Sequence, residues 1–419
     1  MLRFAPPSDS PDVDLGPVAI VSHTLPGDLN GQAVMLDRLT SDTSQGGFVF
    51  IDTDRKARPR PPRPNWLACE PLPTPFLARK VFRVRRLQTR LYHALVRQRS
   101  LAIARHVRQH QCRCIVACTG GDLIDLPAAV EAGRRTGLPT FLYYFDDYQV
   151  QWNIMGGRWS RKVTGHLRDL AERHVLSHCD GVLVPNETLA DDVAQRTQTA
   201  VTVIRNPVNT EAYRRLRCHH PRQPLDPQQT IKVVYTGSVY AAQADCLSRL
   251  CDAIDLLRPQ GFSLELHVYG PPPCPDVCHG LPMDQICFHP PVSNTESAQL
   301  QVQADLLFLP LSFTCPYPEL IRTSAPGKFG EYLASGTPLL VHAPEDSFPT
   351  TFVRQHDCGA ACSVARSDSL AAAIAGMLAD PRSCEARRQR ALEIAEGFSE
   401  KANRSRFSRV LNRPVARAA

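Results

Sequence analysis

Lys328 and Glu331 are the residues whose types and spacing best fit a shared chemical task. They lie three positions apart, about one helical turn, so both side chains can face the same side of a helix. A lysine in the first turn of a helix is disfavoured by the helix dipole unless an anion binds there. A phosphate next to a ribose fits this pair, because the ammonium meets the phosphate and the carboxylate accepts hydrogen bonds from the two ribose hydroxyls. The alternative is an ordinary solvated helix face.

The surrounding residues, 323–341, predict the elements that position this pair. The Pro-Gly pair at 326–327 indicates a loop that leads into a helix, with Ser324 as a candidate cap. Gly336 occupies the position where a left-handed glycine ends a helix. The apolar run at 339–341 is typical of a parallel strand that is covered on both faces.

This stretch also resembles a known signature. Residues 331–338, Glu-Tyr-Leu-Ala-Ser-Gly-Thr-Pro, are similar to the donor-binding motif of retaining GT-B glycosyltransferases, most closely family 4. The family motif is Glu-x7-Glu, and here its first glutamate is replaced by Thr323. The resemblance implies an α/β GT-B fold, with two Rossmann-like domains facing a central cleft. It also implies transfer of a sugar from a nucleotide diphosphate to an acceptor hydroxyl, such as that of a glycan or lipid-linked glycan, with retention.

The resemblance further implies a donor site in the second half of the chain. Residues 233–238 predict a strand that runs into a glycine turn, where the family holds the donor phosphate on backbone amides. The family's downstream lysine is missing here, so Lys328 carries the phosphate charge alone or with Arg322. We assign catalytic roles to Lys328 and Glu331. The expected donor-binding residues are Gly237, Ser238, Tyr269, Gly270, Thr323, Pro326, Gly327, Lys328 and Glu331.

The acceptor side is expected in the first half of the chain. Asp146 and Asp147 follow a predicted strand, and the carboxyl ends of parallel strands are where open α/β sheets bind ligands. The alternative is that this pair caps the next helix. By resemblance, Gly31 lies in a loop that touches donor phosphate or acceptor, and His23 is either a ligand of that site or an ordinary loop residue.

Length and composition predict two domains in a reducing compartment. A chain of 419 residues is too long for one ordinary core, and 43% of its residues are hydrophobic. No apolar run approaches the roughly 20 residues of a membrane helix, and the first residues do not resemble a secretory signal. Fifteen cysteines, an odd number, favour reduced thiols in the cytoplasm. The predicted organisation is a disordered lead-in (1–16), an acceptor domain (17–208), a nucleotide-sugar domain (209–397) and a crossing helix (398–419).

Alternating strand and helix patterns occur in both halves. Each half therefore predicts a βαβαβ arrangement, the double Rossmann-like layout. Residues 55–75 contain too many prolines for regular structure and are predicted to be an exposed loop. The predicted strands are 18–21, 48–52, 114–118, 140–145, 181–185 and 201–204, followed by 233–238, 264–269, 286–289, 305–311 and 339–341.

Residues 78–110 predict a long basic helix with ten Lys or Arg and no Asp or Glu. One interpretation is a solvated basic face. The other is a surface that docks on anionic lipid, which makes the protein peripheral on the inner face of a membrane. Nucleic acid is not expected as a partner, because the basic face lacks interleaved aromatic residues.

No metal or other cofactor is expected besides the nucleotide-sugar co-substrate. The cysteines at 112–114 and 274–278 do not have the spacing of a zinc site with a second pair. No P-loop, nucleophile elbow or His-Glu-x-x-His motif occurs. Two alternative functions remain open: a nucleotide-sugar epimerase of the same fold, and a non-catalytic, membrane-docked protein that binds nucleotide sugars.

Overall fold

The computed structural model describes residues 16–28, 30–41, 47–54, 63, 65–72, 88–222, 225–278 and 280–413, without the side chains of 88, 89, 155–164 and 276. Four sequence predictions fall largely or partly outside this range. They are the lead-in, of which only Gly16 is described, the predicted loop 55–75, of which 63 and 65–72 are described, residues 78–87 of the basic segment, and residues 414–419 of the crossing helix.

The described residues form two compact units. The first contains the residues up to Tyr143, Met155–Val182 and the residues from Ser408 onward. The second contains Tyr144–Ile154 and Leu183–Phe407. The domain boundaries drawn from the sequence stay predictions.

The first half of the chain forms a sheet whose strand order reverses once. The order is β3-β2-β1-β4-β5-β6-β7. Strand β1 pairs in parallel with both β2 and β4, so the reversal lies between β1 and β4, where sheets of this kind bind ligands. The strands are β1 (Val18–Ser22), β2 (Phe48–Asp52), β3 (Trp66–Pro71), β4 (Cys114–Cys118), β5 (Thr140–Tyr143), β6 (Gly181–Val184) and β7 (Val201–Val203).

Apart from β2 and β3, which follow each other with no described helix between them, helices alternate with these strands along the chain, as the βαβαβ prediction requires. Burial of β1, β2 and β4 along their whole length agrees with a sheet that is covered on both faces. The helices are α1 (Gly31–Thr40), α2 (Gln88–Gln109), α3 (Asp125–Thr136), α4 (Tyr148–His178) and α5 (Glu187–Ala194).

The second half repeats the same strand order in six strands. The order is β10-β9-β8-β11-β12-β13, with the reversal between β8 and β11. Strand β8 pairs in parallel with both β9 and β11. The strands are β8 (Ile231–Thr236), β9 (Leu264–Tyr269), β10 (Ile286–His289), β11 (Leu306–Pro310), β12 (Leu339–His342) and β13 (Ala360–Cys362).

Side chains of alternating direction on β8 enter two separate hydrophobic clusters. Val233 and Tyr235 belong to one cluster and Val234 belongs to the other. Helices therefore cover both faces of the central strands. The helices are α6 (Thr210–His219), α7 (Ala241–Leu257), α8 (Pro275–Cys278), α9 (Asn294–Gln303), α10 (Pro318–Thr323), α11 (Gly327–Ser335), α12 (Phe348–His356), α13 (Ser367–Ala379), α14 (Pro381–Ala395) and α15 (Glu400–Leu411).

Two local predictions are wrong. Residues 55–75 were expected to lack regular structure, yet β3 lies within them, paired with β2 at the sheet edge. An edge strand needs hydrogen bonds on one side only, so Pro71, its last residue, does not prevent it. Ser324 does not cap the motif helix: it follows the last residue of α10, and Pro326 precedes the first residue of α11.

All fifteen cysteines lie in the described part of the chain and are free thiols. Burial raises the pKa of Cys114 and Cys118 to about 12. The buried cysteines are Cys112, Cys114, Cys118 and Cys179 in the first unit, and Cys246, Cys251, Cys358, Cys362 and Cys384 in the second. Among the residues with assigned structure, no helix is both long and apolar enough to cross a membrane.

Candidate functional site

Two glycines at the carboxyl ends of β8 and β9, Gly237 and Gly270, allow close approach of their own backbones and of the Lys328 side chain. Gly237 has a φ of 127°, a conformation that side-chain-bearing residues rarely adopt, and its N–H donates to the Tyr269 carbonyl at 2.7 Å. A Cβ on Gly237 would lie 2.6 Å from the Lys328 Nζ. A Cβ on Gly270 would lie 2.4 Å from the Gly237 carbonyl oxygen. Gly237 is therefore required for its positive φ, and Gly270 because a side chain there would clash with the Gly237 backbone.

Lys328 points from the first turn of α11 into this glycine turn. Its Nζ donates to the Tyr235 hydroxyl at 2.7 Å and lies 4.1 Å from the centre of the Tyr235 ring. The Tyr235 hydroxyl in turn donates to the Ser238 carbonyl at 2.9 Å. Burial lowers the pKa of the Lys328 amine, and nearby Tyr332 and Glu331 oppose that decrease. No carboxylate among the described residues forms an ion pair with Lys328.

A buried glutamine that the sequence analysis did not single out connects Glu331 to strand β8. Gln301 on α9 is fully buried, and its Nε2 donates to the Thr236 hydroxyl at 2.9 Å. The same Nε2 lies 3.5 Å from Oε2 of Glu331, and the Gln301 Oε1 accepts from the Tyr213 hydroxyl at 2.6 Å. A polar residue on the apolar side of α9, next to Val302, is the signal that could have identified it.

Strand β9 ends in a stack of aromatic rings beside the glycine turn. The Tyr269 and His289 rings are nearly parallel, with centres 4.2 Å apart, and His267 stacks on His289 at 5.2 Å. The Nζ of Lys232 lies 5.7 Å from the centre of the Tyr269 ring. One face of the Tyr269 ring is therefore stacked on His289. Burial and the neighbouring His267 lower the pKa of His289.

The residues from the end of α10 to the start of α11 have mainly structural contacts. The Thr323 hydroxyl donates to the Glu319 carbonyl of its own helix at 2.9 Å, and the Thr323 carbonyl accepts from Asn186 Nδ2 at 2.8 Å. Arg322 forms an ion pair with Asp192, so this arginine already has an anionic partner. Of the donor-side residues, Pro326 precedes α11 and Gly327 is its exposed first residue.

His23 lies against a glycine turn of the first unit, at the point where the strand order reverses. A Cβ on Gly120, whose φ is 98°, would lie 2.6 Å from Cε1 of His23. Burial lowers the pKa of His23, while Asp54 and Asp28 oppose that decrease. Its Nδ1 is buried and has no hydrogen-bond partner among the described residues. Gly31, at the start of α1, is open to solvent on its Cβ side.

The two candidate acceptor aspartates have different surroundings. Oδ1 of Asp147 accepts from the Gln149 N–H at 2.7 Å, in the first turn of α4, and Oδ2 lies 2.5 Å from Arg196 Nη2. Asp147 therefore acts as a cap and ion-pair partner, as the alternative interpretation has it, and Asp146 next to it is half-buried.

A buried ion pair that the sequence did not indicate supports the Gly120–Gly121 turn. Arg99 pairs with Asp125, and both side chains are almost fully buried. Oδ2 of Asp125 also accepts from the Thr53 hydroxyl and from the Asp122 N–H, both at 2.9 Å.

No cluster of His, Cys, Asp or Glu positioned to hold a metal ion occurs among the residues that the structure describes. The structure thus brings Gly237, Ser238, Tyr269, Gly270, Pro326, Gly327, Lys328 and Glu331 into one part of the second unit, whereas His23 and Gly31 belong to the first.

Residues 230–380, which contain this site, match the family model for glycosyl transferases group 1. The prediction of a glycosyltransferase is confirmed at this level. A comparison with curated protein sequences gives no match.

Solved glycosyltransferase structures show the same fold at low identity. The chain is similar to sucrose-phosphate synthase from Thermosynechococcus elongatus, with a TM-score of 0.65 and 14% identity over 94% of this chain and 98% of that one. It is similar to the UDP-forming α,α-trehalose-phosphate synthase from Burkholderia xenovorans in complex with glucose-6-phosphate, with a TM-score of 0.66 and 11% identity over 95% of this chain and 100% of that one. It is also similar to WaaG, a glycosyltransferase involved in lipopolysaccharide biosynthesis, with a TM-score of 0.60 and 13% identity over 95% of this chain and 100% of that one. The predicted GT-B fold of two Rossmann-like sheets is confirmed.

Proposed function

We propose that the chain transfers a sugar from a nucleotide-diphosphate donor to an acceptor hydroxyl, with retention at the anomeric carbon. One observation carries the proposal: the ammonium of Lys328, whose side chain is half-buried as a whole, lies at the start of a helix and against a glycine turn, with a neutral hydroxyl as its hydrogen-bond partner. Both the helix dipole and the positive charge at this place favour a bound anion. A diphosphate, whose charge grows as it leaves, suits this position better than a neutral ligand does.

In this proposal Lys328 and Glu331 have separate tasks. Lys328 stabilises the charge that develops on the leaving diphosphate, and it is therefore most valuable in the transition state. Glu331, which lies 3.5 Å from the amide of Gln301, accepts hydrogen bonds from the ribose hydroxyls of the donor. Such catalysis depends on positioning and electrostatics and requires no metal or other cofactor.

The acceptor is assigned to the first unit, near His23 and the glycine turn that it contacts. A glycan or lipid-linked glycan is the preferred acceptor class, because α2 carries arginines without acidic residues and can rest on an anionic membrane surface. We accordingly place the protein in the cytoplasm, peripheral on the inner face of a membrane.

A panel of nucleotide sugars tests the proposal. Purified protein is incubated with each donor and with acceptors of two kinds, sugar phosphates and lipid-linked sugars, and released nucleoside diphosphate is measured. Acceptor-dependent release supports transfer, and NMR of the product's anomeric proton reports retention. A donor whose sugar changes configuration without release of the diphosphate indicates an epimerase. Donor binding without any turnover indicates a non-catalytic binding protein.

Lys401 provides a matched control for this assay. It is an exposed lysine on α15, so Lys401→Ala removes the same charge far from the turn in sequence. We expect Lys401→Ala to leave turnover unchanged and Lys328→Ala to reduce it. Equal activity of the two variants would contradict the role given to Lys328.

A further inference from the structure

A cavity of about 240 Å³ lies between α2, α3 and α4 in the first unit. Its floor is apolar and buried: Tyr92 and Ala171 are each 2% exposed and Val96 is 8% exposed. Pro127 completes the floor from α3. Nothing in the proposed sugar transfer makes use of this cavity. Its lining can take up several methylene groups of a ligand.

The rim of the cavity is cationic. Arg97 and Arg135 line it from α2 and α3. The carboxylate of Glu131, the acidic residue of the lining, lies 2.8 Å from Arg135 and 3.4 Å from Arg134. Arg97 is exposed and forms no ion pair with any described residue. The rim therefore retains positive charge for an external anion.

Exposed leucines flank this charge. Leu170 lines the cavity and is 41% exposed, and Leu101, one helical turn beyond Arg97 on α2, is 49% exposed. Arg90 lies two turns before Arg97 on the same face of α2. A surface on which exposed leucines lie beside arginines is suited to the boundary between lipid headgroups and acyl chains.

We propose that this cavity takes up methylene groups of an acyl chain of an anionic phospholipid in a bilayer, with the lipid phosphate held by Arg97 and Arg135. An anionic amphiphile uses both halves of the site, whereas free phosphate leaves the apolar floor unoccupied and a neutral hydrocarbon leaves the arginines unpaired. Binding is strengthened because the apolar floor of the cavity leaves water when the acyl chain covers it. The site goes beyond the proposed sugar transfer, and its binding is measured without any sugar donor.

Photolabelling locates the bound chain directly. Full-length protein is mixed with phosphatidylcholine vesicles that contain phosphatidylglycerol with a diazirine on its acyl chain, irradiated, and analysed by peptide mass spectrometry. We expect label on the peptides that contain Tyr92 and Leu170. Labelling confined to other peptides, or its absence, would overturn the proposal. Equal labelling by phosphatidylcholine with a diazirine on its acyl chain would refute the preference for an anionic lipid.

A matched pair of arginine variants separates a specific site from general surface charge. Arg90 is exposed like Arg97 and lies on the same face of α2, but it is not part of the cavity lining. We expect Arg97→Gln to weaken association with vesicles about five-fold and to reduce labelling of Tyr92 peptides. We expect Arg90→Gln to change association less and to leave the labelling pattern intact. Equal effects of the two variants on both measurements would refute a defined phosphate site.

A second pair tests the apolar floor. Leu170→Glu places a carboxylate at the rim on an exposed position that does not endanger folding, and it should abolish labelling of the cavity peptides. Leu101→Glu adds the same charge outside the lining and should preserve that labelling at reduced yield. Circular dichroism confirms that both variants are folded. Unchanged labelling in Leu170→Glu would sink the proposal.

Discussion

Replacing Lys328 by Met is expected to separate the stability of this protein from its activity. The Met side chain keeps the apolar stem that packs over the Tyr235 ring, and its sulfur makes favourable contacts with aromatic rings. The Tyr235 hydroxyl keeps its hydrogen bond to the Ser238 carbonyl. The variant therefore loses the charge while the local packing is preserved.

The loss of activity can be estimated from electrostatics. Unit charges about 4 Å apart interact by about 4 kcal/mol at an effective dielectric constant of about 20. Backbone amides of the glycine turn and of α11 compensate part of this loss. Removal of one such stabilising group typically reduces kcat by about 10²- to 10³-fold, and we expect a decrease in this range for Lys328→Met.

The stability of the folded Lys328→Met variant should stay the same or increase, whereas its activity decreases. Because burial lowers the pKa of Lys328, the folded state disfavours its charged form relative to the unfolded chain. Neutral Met removes that unfavourable contribution, so the variant should unfold at the same or a higher temperature. The wild-type protein gains stability as the pH rises from the lowered folded-state pKa of Lys328 toward the higher pKa of the unfolded chain, because in that range the unfolded chain binds more protons than the folded one. The difference in unfolding temperature between the wild-type protein and Lys328→Met should therefore narrow at alkaline pH.

Two measurements check this reasoning: steady-state turnover with the donor found in the panel, and thermal unfolding between pH 7 and 10. Lys401→Met is the control for both and should resemble wild type. A fall in kcat of less than about three-fold would contradict the electrostatic role. A lower unfolding temperature of Lys328→Met at pH 7 would show that the buried charge stabilises the fold, against our argument.

Three further predictions follow from the same unit. Glu331→Ala should weaken donor binding by on the order of 1.5–3 kcal/mol, measured by calorimetry, with the unfolding temperature unchanged; unaltered donor binding would remove Glu331 from the site. Gly237→Ala should lower the free energy of unfolding, measured in urea, by about 1–3 kcal/mol because of the φ of 127° at Gly237 and its contact with Lys328. Gly376→Ala, at a position with open space around it in α13, should not lower it, and equal effects of the two variants would exclude backbone strain. Burial lowers the pKa of His342 to about 4, so the unfolded chain binds a proton more readily between pH 6.5 and pH 4, and stability should fall by up to about 3 kcal/mol on acidification through that range. His342→Leu should show a smaller decrease in urea midpoints, and an identical decrease would assign the pH effect to other groups.

Much of the sheet architecture could be predicted because parallel strands are continuous apolar runs. Strands β2, β4, β9 and β10 begin and end at the predicted residues. Strand β3 was missed because its residues are only half-buried or exposed and prolines lie at its end and beside it, and because an edge strand depends on its neighbour.

The arrangement around Lys328 was predictable only in part. Helical spacing placed Lys328 and Glu331 one turn apart, and the structure agrees. The hydroxyl of Tyr235 and the amide of Gln301 come from residues 93 and 30 positions away from their partners Lys328 and Glu331. No local pattern specifies such contacts, because they depend on how strands and helices from distant parts of the chain pack together.

The distribution of buried thiols gives each compact unit its own internal reporter. Cys114 and Cys118 in the first unit, and Cys251 and Cys358 in the second, have pKa values raised to about 12 by burial, so they react slowly with alkylating reagents while their unit stays folded. Cys218, Cys274 and Cys287 are exposed and mark the fast, unprotected limit. Pulsed alkylation followed by mass spectrometry would therefore time the opening of each unit separately in the unmodified protein, with no introduced probe.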